Sequence, residues 1–248
     1  MLLLKNDGLY KTLKFKEPKY VGDPINTFKI LNEKEADELL LLDIIASCEN
    51  KRPNFDKIAE IASEAFVPMG YGGGVKTVDD VKKLLNSGVE KVVINTAAVE
   101  NPNLITEAAS VFGSQSIVVS IDVKKNILGK YNVYIGGGRR KTNLNLIDWA
   151  SKVEKCGAGE ILINSIDRDG TFSGYDIKLL KSVSSAVTIP VVACGGAATI
   201  DDFVHAVNQG GVSAVAAGSM FVFQRSRDAI LISFPSEQEM ISKFYNNI

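Results

Sequence analysis

The sequence predicts an α/β fold, a single closed (β/α)₈ barrel, and three observations carry that reading. Short apolar runs alternate with amphipathic stretches along the chain. One half of the chain repeats in the other. The 248 residues contain no Pro/Gly/Ser-rich linker at which a second domain could begin. Alternation alone also fits a doubly wound open sheet, so the repeat decides between the two.

The strand candidates are Leu2–Leu4, Leu39–Ile44, Val67–Tyr71, Lys91–Asn95, Ile117–Asp122, Glu160–Asn164, Ile189–Cys194 and Ser213–Ala217. Most are near-continuous Val/Ile/Leu/Ala runs, as expected of parallel strands covered on both faces. Helical patterns lie between them, among others Asn54–Phe66 with Asn54 as N-cap, Thr77–Ser87, Asn101–Phe112 and Thr199–Gln209. Displacing the chain by 122 positions, from Gly73 to Gly195, brings Val67–Ala97 onto Ile189–Ser219 with nine identities in 31 ungapped positions. Pro68 meets Pro190, Gly73-Gly74 meets Gly195-Gly196, Thr77 meets Thr199, and Asp79-Asp80 meets Asp201-Asp202. Such matches do not follow from a shared helix propensity. Two halves, about 1–115 and 116–248, of four βα units each close naturally into eight within one domain. One long connection, 123–142, follows the fifth strand. It reads as a small hairpin around Tyr131–Ile135 ending in the flexible, basic run Gly136-Gly137-Gly138-Arg139-Arg140-Lys141. Long loops of this kind emerge on the active-site face of barrels.

Composition narrows the function classes. Hydrophobic residues make up 46% and charged residues 23%, ordinary for a soluble globular protein. The 28 basic and 29 acidic side chains leave a net charge of −1, so no overall field invites nucleic acid. No apolar run approaches the roughly 18 residues that span a bilayer. Met1-Leu2-Leu3-Leu4 passes straight into Lys5-Asn6-Asp7-Gly8, too short for a signal-peptide core. The cytoplasm is the expected compartment, and neither nucleic acid nor a membrane is an expected partner. Cys48, Cys156 and Cys194 are scattered and read as free thiols. The single histidine, His205, sits in a helical pattern, so a Ser-His-Asp triad or a histidine-rich zinc site lacks raw material. Neither a metal nor a cofactor is expected, and proton transfer falls to carboxylates, lysines or tyrosines.

Glycines close several strands. Gly72-Gly73-Gly74 follows the third and Asn95-Thr96 the fourth; their images 122 positions on are Cys194-Gly195-Gly196 and Ala217-Gly218-Ser219. Asp169-Gly170-Thr171 adds a turn with a hydroxyl after the sixth. Glycines there let backbone N–H groups approach an anion, and the loops after strands seven and eight are the usual phosphate site of such barrels. A single Gly-Gly pair makes only a tight turn; matched sets in both halves point to two phosphate sites, hence to a ligand with a phosphate at each end. Asp122 ends the fifth strand, where a half-desolvated carboxylate acquires a pKa useful for proton transfer.

These segments, together with Ile94-Asn95-Thr96-Ala97-Ala98-Val99-Glu100-Asn101-Pro102, Phe112-Gly113-Ser114-Gln115, Gly157-Ala158-Gly159-Glu160 and Ser165-Ile166-Asp167-Arg168-Asp169-Gly170-Thr171, resemble HisF, the cyclase subunit of imidazole glycerol phosphate synthase. The resemblance runs from Met1 to about Gln224. It implies a subunit that takes ammonia from a glutaminase and adds it to a bisphosphorylated ribulosyl-formimino substrate. The products would be imidazole glycerol phosphate and an aminoimidazole carboxamide ribotide. By the same resemblance Asp122 is one of two acid–base aspartates, and Lys11 lies on a mobile loop after strand one that closes over substrate. Glu38, Lys91 and Glu160, at the opposite mouth, match a charged ring that gates ammonia entry, with Glu90 and its neighbours facing the glutaminase. The second aspartate matches Leu3, which cannot carry a proton. The same register leaves about eight residues of the family's N-terminus, including the ring's arginine, without a counterpart and makes the first strand short. A rival reading follows from Leu3: a paralogue that no longer cyclises and conducts ammonia to another acceptor, such as a surface-polysaccharide aminosugar. A phosphosugar isomerase on the related HisA-like fold is disfavoured by the ring.

Overall fold

A computed structural model describes residues 1–224 and 229–248. Eight parallel strands form one curled sheet: β1 (Leu2–Lys5), β2 (Leu39–Asp43), β3 (Met69–Gly72), β4 (Lys91–Ile94), β5 (Ile117–Lys125), β6 (Glu160–Ser165), β7 (Val191–Cys194) and β8 (Ala214–Ala216). Each pairs with its sequence neighbour from β1 through β8, which makes the molecule a (β/α)₈ TIM barrel. β1 is short, as expected, and its outer edge is occupied by an antiparallel strand, Gly8–Leu13, with Leu3 opposite Tyr10. That strand continues the hairpin into Lys16–Gly22. Among the described residues β8 and β1 form no ladder; the Met1 amino group reaches across the seam and donates to the Ala217 carbonyl at 2.7 Å.

The apolar runs bury as the pattern required. Ile117, Val119, Ile121 and Val123 point outward beneath the helices, while Val118 joins Val93, Leu162 and Val192 inside the barrel. Period-two alternation therefore survives within β5, although both faces are apolar. Helices α1 (Pro24–Glu33), α2 (Phe55–Ala62) and α3 (Val78–Asn86) follow the first three strands. The stretch Asn101–Phe112 sits behind a short additional helix: α4 (Thr96–Glu100) precedes α5 (Asn103–Phe112), with Pro102 as the N-cap of the second. Proline lacks an N–H and disfavours helix in the residue before it, which explains the break. Then come α6 (Leu146–Lys155), α7 (Ile177–Ser184), α8 (Ile200–Asn208) and α9 (Glu237–Lys243). The connection after β5 is an antiparallel hairpin, with Tyr131–Ile135 paired back on β5, as the sequence suggested.

The glycine turns are held by capping boxes that recur 122 residues apart. Thr77 and Asp80 cap α3; Thr199 and Asp202 cap α8. Asp80 accepts hydrogen bonds from the N–H groups of Lys76 and Thr77, both at 3.0 Å, and Asp202 from those of Ala198 at 2.8 Å and Thr199 at 3.0 Å. Each carboxylate thus pins the chain just beyond Gly73-Gly74 or Gly195-Gly196. Asp80 is fully buried and also accepts from Arg52 Nε at 2.8 Å. Asp80→Ala is therefore expected to destabilise the protein by about 2–3 kcal/mol, lowering Tm by roughly 4–12 °C. Asp202→Ala, with no arginine partner among the described contacts, is expected to lower it less. Equal losses in thermal denaturation would show that Arg52 adds nothing.

Candidate functional site

The strand C-terminal ends open into a cleft of about 220 Å³. Asp122 and Leu3 both line it, as do Gly73, Gly74, Asn95 and Thr96. Leu3 is 6% exposed and projects into the mouth from β1, where it forms an apolar part of the cleft wall. Asp122 is buried, and desolvation first, then the nearby Asp169 carboxylate, raises its pKa to about 7. Donors from Asn95 and Ser120 oppose the shift without cancelling it. A group poised there can hold or release a proton near neutrality. Asn95 is anchored by its amide, which donates to the Ser120 carbonyl at 2.9 Å.

A second, smaller recess lies after β6, β7 and β8, lined by Gly170, Gly195, Gly196, Gly218 and Ser219 together with Lys11 and Asp169. The structure corrects three expectations here. Lys11 is not on a loop. It belongs to the Gly8–Leu13 strand, is 4% exposed, and its Nζ donates to the Met1 carbonyl at 2.6 Å. Burial pulls its pKa down to about 8, against the attraction of Asp169. Pairing opposite Lys19 in the hairpin holds it, a contact that spacing alone does not reveal. Asp169 does not present a donor: its Oδ2 accepts from Thr12 Oγ1 at 2.7 Å and the Phe15 N–H at 3.2 Å, tying the hairpin to the β6 loop. These two contacts make Asp169 a positioning residue for the hairpin. Thr171 lies outside the recess, its hydroxyl donating to the Arg168 carbonyl at 2.8 Å.

Positive φ angles at Gly74 (+73°) and Gly196 (+113°) explain why glycine stands there. A Cβ on Gly74 would lie 2.6 Å from the Lys51 carbonyl oxygen, and one on Gly196 would lie 2.2 Å from that of Gly174. Both glycines are demanded by the fold itself, so replacing them disturbs the backbone before it probes a ligand.

At the opposite end of the barrel Lys91 Nζ donates to Glu38 Oε2 at 2.8 Å and to Glu160 Oε2 at 3.1 Å. The three side chains named from the sequence thus form one cluster, with a cavity of about 380 Å³ beside it that extends under Phe203 and Phe244. Burial raises the pKa of Glu160, and Lys91 opposes it. His205 is on the exposed side of α8, away from both clusters.

Sequence reasoning passed over two groups in the cleft. Asp43 ends β2, where its Oδ1 accepts from the N–H groups of Ile45 and Ala46, and burial raises its pKa even so. Its position, an aspartate closing an apolar strand, is the same signal that singled out Asp122. Asn164, from β6, has a buried Oδ1 with no hydrogen-bond partner and faces the same cleft, so it has an acceptor to offer a ligand.

The family model for "Histidine biosynthesis protein" matches residues 7–227. A "Putative imidazole glycerol phosphate synthase subunit hisF2" of Pseudomonas aeruginosa is 52% identical over 239 residues, covering 96% of this chain and 95% of that protein. A "Putative imidazole glycerol phosphate synthase subunit HisF" of Leptospira borgpetersenii is 46% identical, covering 95% and 93%. The "Imidazole glycerol phosphate synthase subunit HisF" of Alkaliphilus metalliredigens is 46% identical, covering 88% and 86%. With a barrel carrying its candidate groups at both mouths and relatives matched over nearly its whole length, this chain belongs to the histidine biosynthesis protein family as a HisF-like member.

Proposed function

We propose that the chain is an ammonia-using, HisF-type cyclase subunit whose acid–base machinery is reduced to one aspartate. The observation that carries this is the shared cleft: Asp122, titrating near 7, faces Leu3 across a mouth flanked by two glycine-lined recesses. A bisphosphorylated ribulosyl-formimino substrate would lay one phosphate at Gly73-Gly74 and Asn95-Thr96. The other would lie at Gly170, Gly195-Gly196 and Gly218-Ser219, where the Lys11 ammonium supplies charge. Asp122 would take and return the proton during ring closure, and no cofactor is required.

Leu3 favours a second reading, in which the barrel conducts ammonia to a different acceptor and does not cyclise. Relatives bearing the names hisF2 and hisF3 are described only as putative subunits, which is compatible with either reading. In both, a glutaminase subunit would dock on the face bearing Glu38, Glu90, Lys91 and Glu160. Neutral ammonia would enter past that ring into an apolar lumen lined by Val93, Val118, Leu162 and Val192. Surroundings of this kind favour the uncharged molecule over ammonium.

Turnover of the family substrate with ammonium salts separates the readings. Losing one of two proton-transfer groups typically lowers the rate about 10²–10⁴-fold, so the unmodified chain is expected to be at least about a hundredfold slower than a two-aspartate HisF. Leu3→Asp should raise the rate, and Asp122→Asn should abolish what remains. A rate within about tenfold of the two-aspartate enzyme would show that Leu3 is no handicap and remove the conduit reading.

Asp122→Asn has a second expected effect. Because the folded pKa lies above that of the unfolded chain, the native state binds the extra proton. Stability from this group is full below about pH 4 and is lost as pH rises towards about 7. Asparagine removes that loss, so its Tm relative to the unmodified protein should be more favourable at pH 8 than at pH 4. A difference in Tm that does not vary with pH would show that Asp122 titrates normally.

Mixing with a glutaminase subunit of the same family should give a stable complex and stimulate glutamine hydrolysis. Lys91→Glu places a third carboxylate beside Glu38 and Glu160, and should weaken docking while leaving bisphosphate binding intact. Undiminished docking by that variant would move the interface elsewhere.

A further inference from the structure

The cleft does not end at its first glycine turn. Beyond Thr96 it continues into a recess of about 280 Å³ that shares Ser47, Thr96 and Arg139 with it and is bounded on its far side by Lys76, Arg140 and Glu100. Such a volume holds several water molecules at roughly 30 Å³ each, and therefore a phosphate group. Its charges are unevenly compensated. Arg140 is paired with Glu100. Among the described residues the Lys76 ammonium meets the neutral Asn50 side chain and carbonyl and no carboxylate. Arg139 has no ion-pair partner among the described residues, and the Glu49 carboxylate near it is held by Lys51 at 2.6 Å. Two cations thus face a hollow containing one neutralised pair.

The backbone that carries Arg139 is built, not slack. Gly136, Gly137 and Gly138 all adopt left-handed angles, at φ +62°, +63° and +77°, a path that side chains other than glycine resist. The Gly136 N–H donates to Thr96 Oγ1 at 3.0 Å, and the Cys48 thiol lies 3.4 Å from the Gly136 carbonyl oxygen. This turn therefore straps the tip of the β5 connection to the floor of the first phosphate recess and sets Arg139 at the junction of the two hollows.

We propose that the recess at Lys76 and Arg139 is a second-phosphate subsite, so that the end of the cleft at Gly73-Gly74 and Asn95-Thr96 accepts a diphosphate or phosphodiester and not only a terminal phosphate. The inference rests on the phosphate reading of that end given above and extends it to a ligand class: a diphosphate-linked compound. The first phosphate sits at the glycine turn, and the second passes Thr96 to meet the guanidinium and ammonium. An arginine fork and a lysine point charge both suit that anion.

The test uses inorganic phosphate and pyrophosphate as probes, titrated calorimetrically into the full chain and into the Lys76→Ala/Arg139→Ala double variant at physiological salt. Both substitutions are on the surface, and thermal denaturation confirms that the variant is folded. The unmodified protein is expected to bind pyrophosphate about tenfold more tightly than phosphate, as two partly screened charge-assisted contacts allow. In the double variant that preference should fall to about twofold or less while phosphate affinity is retained, because the glycine turn and the recess after β7 and β8 are untouched. Equal affinity for the two anions in the unmodified protein, or a preference that survives in the double variant, overturns the subsite and leaves the phosphate reading standing. Failure of either anion to bind overturns both.

Discussion

Parallel pairing from β1 through β8 fixes the direction of every strand, and with it the rim on which each loop emerges. All strand C-termini reach one mouth, so Asp122, Asn95-Thr96 and the glycine turns converge there although they lie far apart in the chain. All strand N-termini reach the other, which gathers Glu38, Lys91 and Glu160. Between the mouths Val93, Val118, Leu162 and Val192 form an apolar lining, so the barrel has an apolar interior between two polar ends. The ladder is weakest where β8 and β1 should meet. There the Met1–Ala217 contact and the Gly8–Leu13 strand do the closing, and Lys11 is drawn into the second recess as a result.

Within the upper mouth, desolvation and charge act against each other. Asp122 and Asp169 are buried acids, the Asp169 charge adds to the cost of removing Asp122 from water, and Lys11 is a buried cation held near Asp169. A further carboxylate at position 3 would add to that repulsion, whereas leucine relieves it. An apolar side chain at position 3 spares the site that repulsion and carries no proton of its own. Asp43, at the end of β2, remains in the same cleft with its carboxylate tied to the backbone at Ile45 and Ala46.

The tip of the β5 connection links the mouth to the surface beside it. Three successive left-handed glycines bring backbone close to Thr96 and Cys48, leaving Arg139 at the edge of the cleft. In a barrel the scaffold is shared by many chemistries and the loops decide among them. Here a basic loop adjoining the Gly73-Gly74 end is the feature that would distinguish this member's ligand from a simple bisphosphate.

Much of this was legible in the residues. Apolar runs marked eight strands because a buried parallel strand needs apolar side chains on both faces, and the repeat linking Gly73-Gly74 to Gly195-Gly196 marked the glycine turns at the strand C-terminal mouth. Thr77 and Asp80 announced a helix start through their capping chemistry, which is local and so visible locally. Asp122 and Leu3 could be placed by counting along strands and by family register, and both face the cleft. What counting could not supply were contacts between segments distant in sequence. Lys11 reads as a loop residue until pairing with Lys19 makes it part of a strand, and Asp169 reads as a ligand until Thr12 and Phe15 engage its Oδ2. The short helix Thr96–Glu100, ahead of Pro102, was not legible in the residues. The sequence by itself determined strand order, the two mouths and the residue types at each, because these follow from periodicity and from the chirality of βα connections. Only the tertiary structure decided which charges are buried, which are already paired and how far the cleft extends, because desolvation and hydrogen bonding depend on neighbours brought together by folding.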